Sequence, residues 1–535
     1  MAISRWFPEQ AVTRQEQFIL RRLTRNGKLF AFLRQRRHQL FDEAFQAELE
    51  SMYRDTGAGR AANPPAFMAM VVLLQSYAGA SDATAVELAL MDLRWQMVLG
   101  CLGATEPVFS QGAIVDFRDR LIAAGLDRRL LERTVELARE TRDFDFKKLP
   151  KTLRVAIDSS PLEGAGRVED TINLLAHAGR KIVACAAKLL DCSDEHICRE
   201  AGIPLLLESS IKKALDLTWS DPEDKASAIP ILVEQLVRLD LWIGIRLGAA
   251  SKEPPLKEHI ETLHQLIHQD LEPDPGGNGP ARIREGVAPD RRVSVEDKEM
   301  RHGRKSKSKL FNGFKRHIAS DLDSGLVLAC AITAANRPEE EAAIDLASDL
   351  ADAGRHIDDL LIDRGYINAP LVDEVLRRRG RVICRPWLAR NGGLFSKHDF
   401  DINMRDRTIT CPAGQTERFT TGSTVEFEPD ACDACPIRAC CTSTSLGRGR
   451  TVAIADNELL QHRLRKLAQT KKGRALLRER VPVEHRLAHV SRRQGRRARY
   501  RGARKNVFDL RRASAVTNLE SIQRQHAIVA SAKAA

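Results

Sequence analysis

Hydrophobic and polar positions follow two rhythms along this chain. Over residues 1–145 the apolar positions recur at helical spacing. Residues 15–40 mix apolar side chains with Arg21, Arg22, Arg25, Lys28, Arg34, Arg36 and Arg37. Asn63-Pro64-Pro65 opens another helix, since proline is tolerated in a first turn. Its body, AFMAMVVLLQSYA, is apolar nearly all round, which predicts a buried helix. Ser81-Asp82 and Ser110 read as starts of further helices, the last carrying Phe117-Arg118 and Arg120-Leu121. Short helices with basic faces suit a helix-turn-helix-like DNA-binding unit. A helical packing or dimerisation domain is the plainer alternative.

From residue 150 the rhythm shortens. Residues 153–160 (LRVAIDSS) hold the run Val155, Ala156, Ile157 and then Asp158, a short buried strand ending in an acid. Gly164 and Gly166 follow in a loop, and a helix is expected near 171–177. Residues 181–280 read as helical with breaks at Pro254-Pro255 and 273–279, an unusually long insertion for a compact α/β unit. The α/β pattern then resumes. Residues 311–318 read as a strand, Asp323-Ser324-Gly325 as a turn and 326–332 as its hairpin partner. Residues 338–353 read as a helix, 357–365 (IDDLLIDRG) as a strand delivering Asp363, and 370–379 as a helix. The order predicts mixed α/β architecture around a partly antiparallel sheet. The expected segments are 1–145 (helical, DNA-binding), 150–180, 286–380 and 456–525 (core), 181–285 (helical insertion) and 381–455 (a β and cysteine-rich insertion).

Length and charge extend this picture. A chain of 535 residues allows three or four domains at roughly 100–200 residues each. Its net charge of +12 points to a polyanion, nucleic acid first, against a basic but uninvolved surface. Residues 461–512 hold 19 Lys or Arg against 3 Asp or Glu, which reads as a nucleic-acid footprint. The basic run 301–309 (RHGRKSKSK) reads either as a solvated loop or as a phosphate contact. No apolar run approaches the roughly 20 residues of a membrane span, and residues 1–10 lack the apolar core of a signal peptide. A soluble, cytoplasmic protein is therefore expected.

Two further features carry chemistry. Asp158 and Asp363 each end an apolar strand, the position at which open α/β sheets place their sites. Like carboxylates repel unless a hard cation sits between them, and Mg²⁺ favours one or two carboxylates plus phosphate oxygens. A third acid is expected on a later helix. Glu484 is a candidate, sharing a helix face with Arg480 and lying beside His485; Glu479 competes, and an ordinary surface Glu–Arg pair is the plainer reading. Five of the 11 cysteines, Cys411, Cys432, Cys435, Cys440 and Cys441, cluster as C-x20-C-x2-C-x4-C-C, which suits structural Zn²⁺ or a set of reduced, metal-free thiols.

Taken together, these motifs resemble the DDE transposases of bacterial insertion sequences. The likeness rests on PPAFMAMVVLLQSYAGASD, DLRWQMVLG and FRDRL at the N-terminus and on VAIDSS, GFKRHIASD, TAANRPEEEAA, LLIDRGY, RERVPVEHRL and YRGARKN in the core. TCPAG and CDACPIRACC carry it through the cysteine region. The resemblance implies an RNase H-like core interrupted by insertions, with Asp158, Asp363 and Glu484 as a catalytic triad holding two Mg²⁺ (or Mn²⁺) ions. It implies cleavage at element ends followed by strand transfer into target DNA, by a homodimer or higher multimer. Arg480, His485, Lys315, Arg492 and Arg501 would contact DNA. Of the Tyr-Arg-Glu-Lys signature common around the third acid, Arg480 and Glu484 are present, while position 477 is Leu and position 491 is Ser. An inactive or domesticated DNA-binding protein, or an RNase H-like nuclease without strand transfer, are the alternatives.

Overall fold

The computed structural model describes residues 4–24, 27–53, 62–141, 152–216, 218, 221–273, 282–352, 354 and 356–534. The N-terminal part is helical, as its spacing predicts. Helix α1 (Pro65–Ala78) begins at a proline and buries every residue from Pro65 to Ser76, so it is a core helix. Helix α2 (Leu126–Glu140) buries one face through Leu130, Leu131, Val135 and Leu137. No helix among the described residues is long and apolar enough to cross a membrane.

The central sheet is built from β1 (Thr152–Glu163), β2 (Arg301–Arg304), β3 (Leu310–Asp321), β4 (Val327–Ala334), β5 (His356–Leu361) and β6 (Arg381–Ile383). Its order is β2–β3–β1–β5–β6, with β4 also on β3. Strands β4, β3 and β1 run antiparallel, while β1, β5 and β6 run parallel. This mixed α/β sheet fits an RNase H-like DDE domain. Strand β1 continues past Asp158 to Glu163, because β3 stays paired with it from Val155↔Asp321 to Glu163↔Gly313. The basic run 301–309 is only partly a loop. Its first four residues form the edge strand β2, paired with the start of β3.

The helical insertion follows β1. Helix α3 (Thr171–Leu190) crosses the boundary expected at 180 without a break. With α4 (Pro222–Arg246) and α5 (Leu256–Asp270) it encloses a hydrophobic core of its own, around Leu175, Ile182, Leu232, Leu236 and Leu263. A Cβ at Gly179 would meet Leu236 Cδ2 at 2.8 Å, so that glycine lets α3 and α4 approach closely. The break expected at 273–279 falls mostly outside the described residues.

Helices α6 (Glu339–Asp352), α7 (Pro370–Arg377), α8 (Val481–Gln494) and α9 (Ala503–Ala534) complete the core. Helix α9 packs on α1, α2 and β4. The N-terminal helices therefore share one continuous hydrophobic core with the sheet. Between α7 and α8, residues 401–453 form short antiparallel strands around Phe400, Ile409 and Phe427.

Candidate active site

Strands β1 and β5 are parallel neighbours, with Ala156 opposite Leu361. Asp158 lies two residues beyond that pair within β1, and Asp363 lies two residues beyond it, just past the end of β5. The apolar residues leading to them are buried: Val155, Ala156 and Ile157 on one strand, Leu360 and Leu361 on the other. Consecutive buried residues mean that both faces of the sheet are covered here, as parallel strands require. Asp363 follows the end of β5, where its Oδ1 accepts the Arg364 N–H at 2.8 Å. Asp158 is half-buried, and desolvation pushes its carboxyl above the usual range while Arg480 pulls it down.

Helix α8 brings the third acid. Val483, Leu487 and Val490 seat it on the core at i, i+4 and i+7, leaving Glu484 on the open side. Arg480, at its N-terminus, donates to Asp158 Oδ1 at 3.1 Å and to Glu484 Oε1 at 2.9 Å. Burial works against the Arg480 charge, but Asp158, Asp363 and Glu484 outweigh it and raise its pKa. The helix is anchored at its other end by Arg316 of β3. This buried guanidinium donates to Gln494 Oε1, Gly495 O and Pro161 O at 2.9–3.0 Å, and burial pushes its pKa down to about 10.

The three acids line one cavity of about 570 Å³, together with Glu339 and the cations Arg304, Lys305, Lys315 and Arg480. The sequence separates the three acids by 205 residues (363 − 158) and 121 residues (484 − 363). Lys315 Nζ donates to Arg337 O at 2.7 Å, and burial lowers its pKa. His485 and Arg492 are exposed on α8 and do not line the cavity, while Arg501 pairs with Glu296 at 2.8 Å. Glu479, the competing third acid, is held away by Arg154. Sequence reasoning missed Glu339 and Arg316 as site residues. Both lay inside quoted motifs, but only the pairing of β1 with β3 and the start of α6 bring them here.

The cations of the basic stretch 461–512 divide between internal partners and the surface. Arg504 and Arg511 bind the buried Asp127, Arg512 binds Asp509 and Gln75, and Arg493 binds Glu520. These cations tie the last helix to its neighbours and are used internally. Most of the others, among them Lys471, Lys472, Arg474, Arg478, Arg492 and Arg497, are exposed.

Four of the clustered thiols, Cys411, Cys432, Cys435 and Cys441, line a space of about 30 Å³, and the exposed Cys440 stands outside it. All five are free thiols. Among the described residues, no group of three or more His, Cys, Asp or Glu side chains is arranged to hold a metal ion. The zinc expectation therefore finds no support in this geometry. In the acidic cavity the Arg480 guanidinium bridges Asp158 and Glu484 as their counter-charge.

Comparison with known proteins agrees with this architecture. A model of the transposase DDE domain matches residues 287–519, which takes in Asp363 and Glu484 but begins after Asp158. A model of the transposase domain DUF772 matches residues 20–120, within the N-terminal helices. No curated protein and no solved structure matches the chain. With both family models falling in order on one chain, the protein belongs to the DDE-type transposases of insertion sequences.

Proposed function

We propose that this transposase cleaves DNA at the ends of its element and joins the freed 3′ ends to target DNA, with Asp158, Asp363 and Glu484 as the metal-holding acids. The observation that carries the reading is the shared cavity. One acid on β1, a second just past the end of the neighbouring parallel strand β5, and a third from a helix seated beside them line the same space.

The donor set suits the group. Three carboxylates offer only hard oxygen ligands, which Mg²⁺ and Mn²⁺ prefer. Arg480 already marks the place between Asp158 and Glu484 as one that demands positive charge. Held by Asp158, Asp363 and Glu484, Mg²⁺ would supply charge stabilisation for an in-line displacement at phosphorus. The chain's own groups do the rest. Arg304, Lys305 and Lys315 on the cavity wall hold the DNA backbone by its phosphates, fixing the scissile bond against the acids. Arg480, once its carboxylates are otherwise neutralised, is free to turn toward a phosphate oxygen. His485, Arg492 and Arg501 extend that contact outside the cavity, and the N-terminal helices read the element ends.

The test is a Mg²⁺-dependent cleavage assay on element-end DNA with the parent and Asp158→Asn. Loss of cleavage in the variant is expected, and equal activity would end the reading. Pre-cut ends offered with target DNA separate a transposase from a nuclease, since only the former yields joined product.

A further inference from the structure

Glu339 is a fourth carboxylate in the same cavity, and it belongs to neither aspartate-bearing strand. It opens α6, whose first turn also holds Glu340 and Glu341. Acids at a helix N-terminus ordinarily complement the helix dipole, and that accounts for the glutamates as a group. It does not account for what Glu339 touches. Its Oε1 accepts the Ser159 Oγ–H at 2.5 Å, and Ser159 is the residue after Asp158. Its Oε2 lies so close to Gly365 that a Cβ there would collide with it, and Gly365 is two residues after Asp363.

One carboxylate thus spans the two segments that carry the aspartates. A buried polar chain supports it from below. Tyr366, next to Gly365, meets His317 Nδ1 through its Oη at 2.6 Å, and His317 Nε2 meets Thr333 Oγ1 at 2.9 Å. Tyr366 and His317 are both buried. The chain leads from β4 through β3 to Tyr366, in the segment that follows Asp363.

We propose that Glu339 is a positioning residue for the divalent-cation site: it clamps the Asp158 and Asp363 segments at a fixed separation through Ser159 and the Gly365 backbone. The proposal rests on the reading of Asp158 and Asp363 as metal-holding acids. Removing outer partners of metal ligands costs about 10–100-fold in metal affinity. One Glu339 oxygen acts as a hydrogen-bond acceptor and the other as packing surface, so the shape of the group matters more than its charge.

The experiment is calorimetric titration of the full chain with Mn²⁺, with no DNA present, alongside thermal melts. Asp158→Asn should abolish binding at this site; if it leaves binding intact, the parent reading of the acids fails. Glu339→Ala should weaken Mn²⁺ binding about 10–100-fold at an unchanged melting midpoint. Glu339→Gln keeps an oxygen for Ser159 and should stay within about threefold of the parent, on the reasoning that a neutral acceptor preserves the bond. Ser159→Ala should mimic Glu339→Ala, and the double variant should lose no more than either alone. This second variant keeps the test alive if Glu339→Ala fails to fold. Parent-like binding by Glu339→Ala and Ser159→Ala, with Asp158→Asn unable to bind, would overturn the positioning role alone. Equal loss in Glu339→Gln and Glu339→Ala would overturn it too, in favour of a direct charge contribution.

Discussion

Two helical regions flank strand β1, and they are built on opposite plans. The helices before β1 share one hydrophobic core with the sheet. The helices after β1 enclose a core of their own, in which Leu175 and Ile182 of α3 meet Leu232 and Leu236 of α4. The fused region is stitched further by polar contacts: Asp127 of α2 holds Arg504 and Arg511 of α9, and Gln75 of α1 holds Arg512. The difference teaches that position in the chain does not set independence. What sets it is whether a region's apolar faces close on each other or on the sheet.

The comparison can be broken at the seam first. Asp127→Ala removes a buried carboxylate that Arg504 and Arg511 share, and Arg511 is itself largely buried. Breaking a buried pair costs about 3–5 kcal/mol, and the low end is expected because Arg511 keeps Asp349. Urea denaturation should show the loss in the main transition. Little loss would mean the N-terminal helices stand alone.

Acid offers a second route. Burial pushes the His317 pKa down to about 3, against 6.5 for the ordinary group. The unfolded chain therefore binds a proton that the folded chain refuses. Stability from the neutral form is present above about pH 6.5 and is lost as pH falls toward 3, at up to about 1.4 kcal/mol per pH unit. A melting series from pH 7 to 5 should show this limb in the fused core, and His317→Gln should flatten it.

A smaller effect sharpens the other half of the contrast. Ile229→Val removes one buried methyl group in the insertion and should cost about 1 kcal/mol. Native-state hydrogen exchange should register it in α3, α4 and α5 alone. An equal change in α8 or α9 would show that the insertion is not autonomous. Smallest of all, Glu234→Gln breaks an exposed i, i+4 pair with Arg238 and should move stability by less than about 1 kcal/mol. Thermal melts check that, and a larger shift would mean the surface of α4 is coupled to more than its own helix.

Much of the sheet was legible in the residues themselves. The run Val155–Ile157 before Asp158, the Asp323-Ser324-Gly325 turn and the run before Asp363 are local signals, and each became the element it predicts. Local signals failed where pairing decided the outcome. Strand β1 outran its apolar run because β3 kept bonding to it, and part of a basic loop became the edge strand β2. The arginines after residue 490 carried the sharpest lesson. Charge density alone does not separate Arg493, Arg504, Arg511 and Arg512, which pair with carboxylates within the protein, from Arg492, Arg496 and Arg497, which are exposed.

By itself the sequence determined the rhythm of strands and helices, the two aspartates at the ends of apolar runs and a short set of candidates for the third acid. Those depend on neighbours within a few residues, where hydrophobic period and turn chemistry act. Only the tertiary structure decided that Glu484 faces the aspartates while Glu479 is held off by Arg154, that Glu339 reaches Ser159, and which cations stay free. Such choices are made between groups far apart in the chain, by desolvation and by the competition of each charge for the nearest partner.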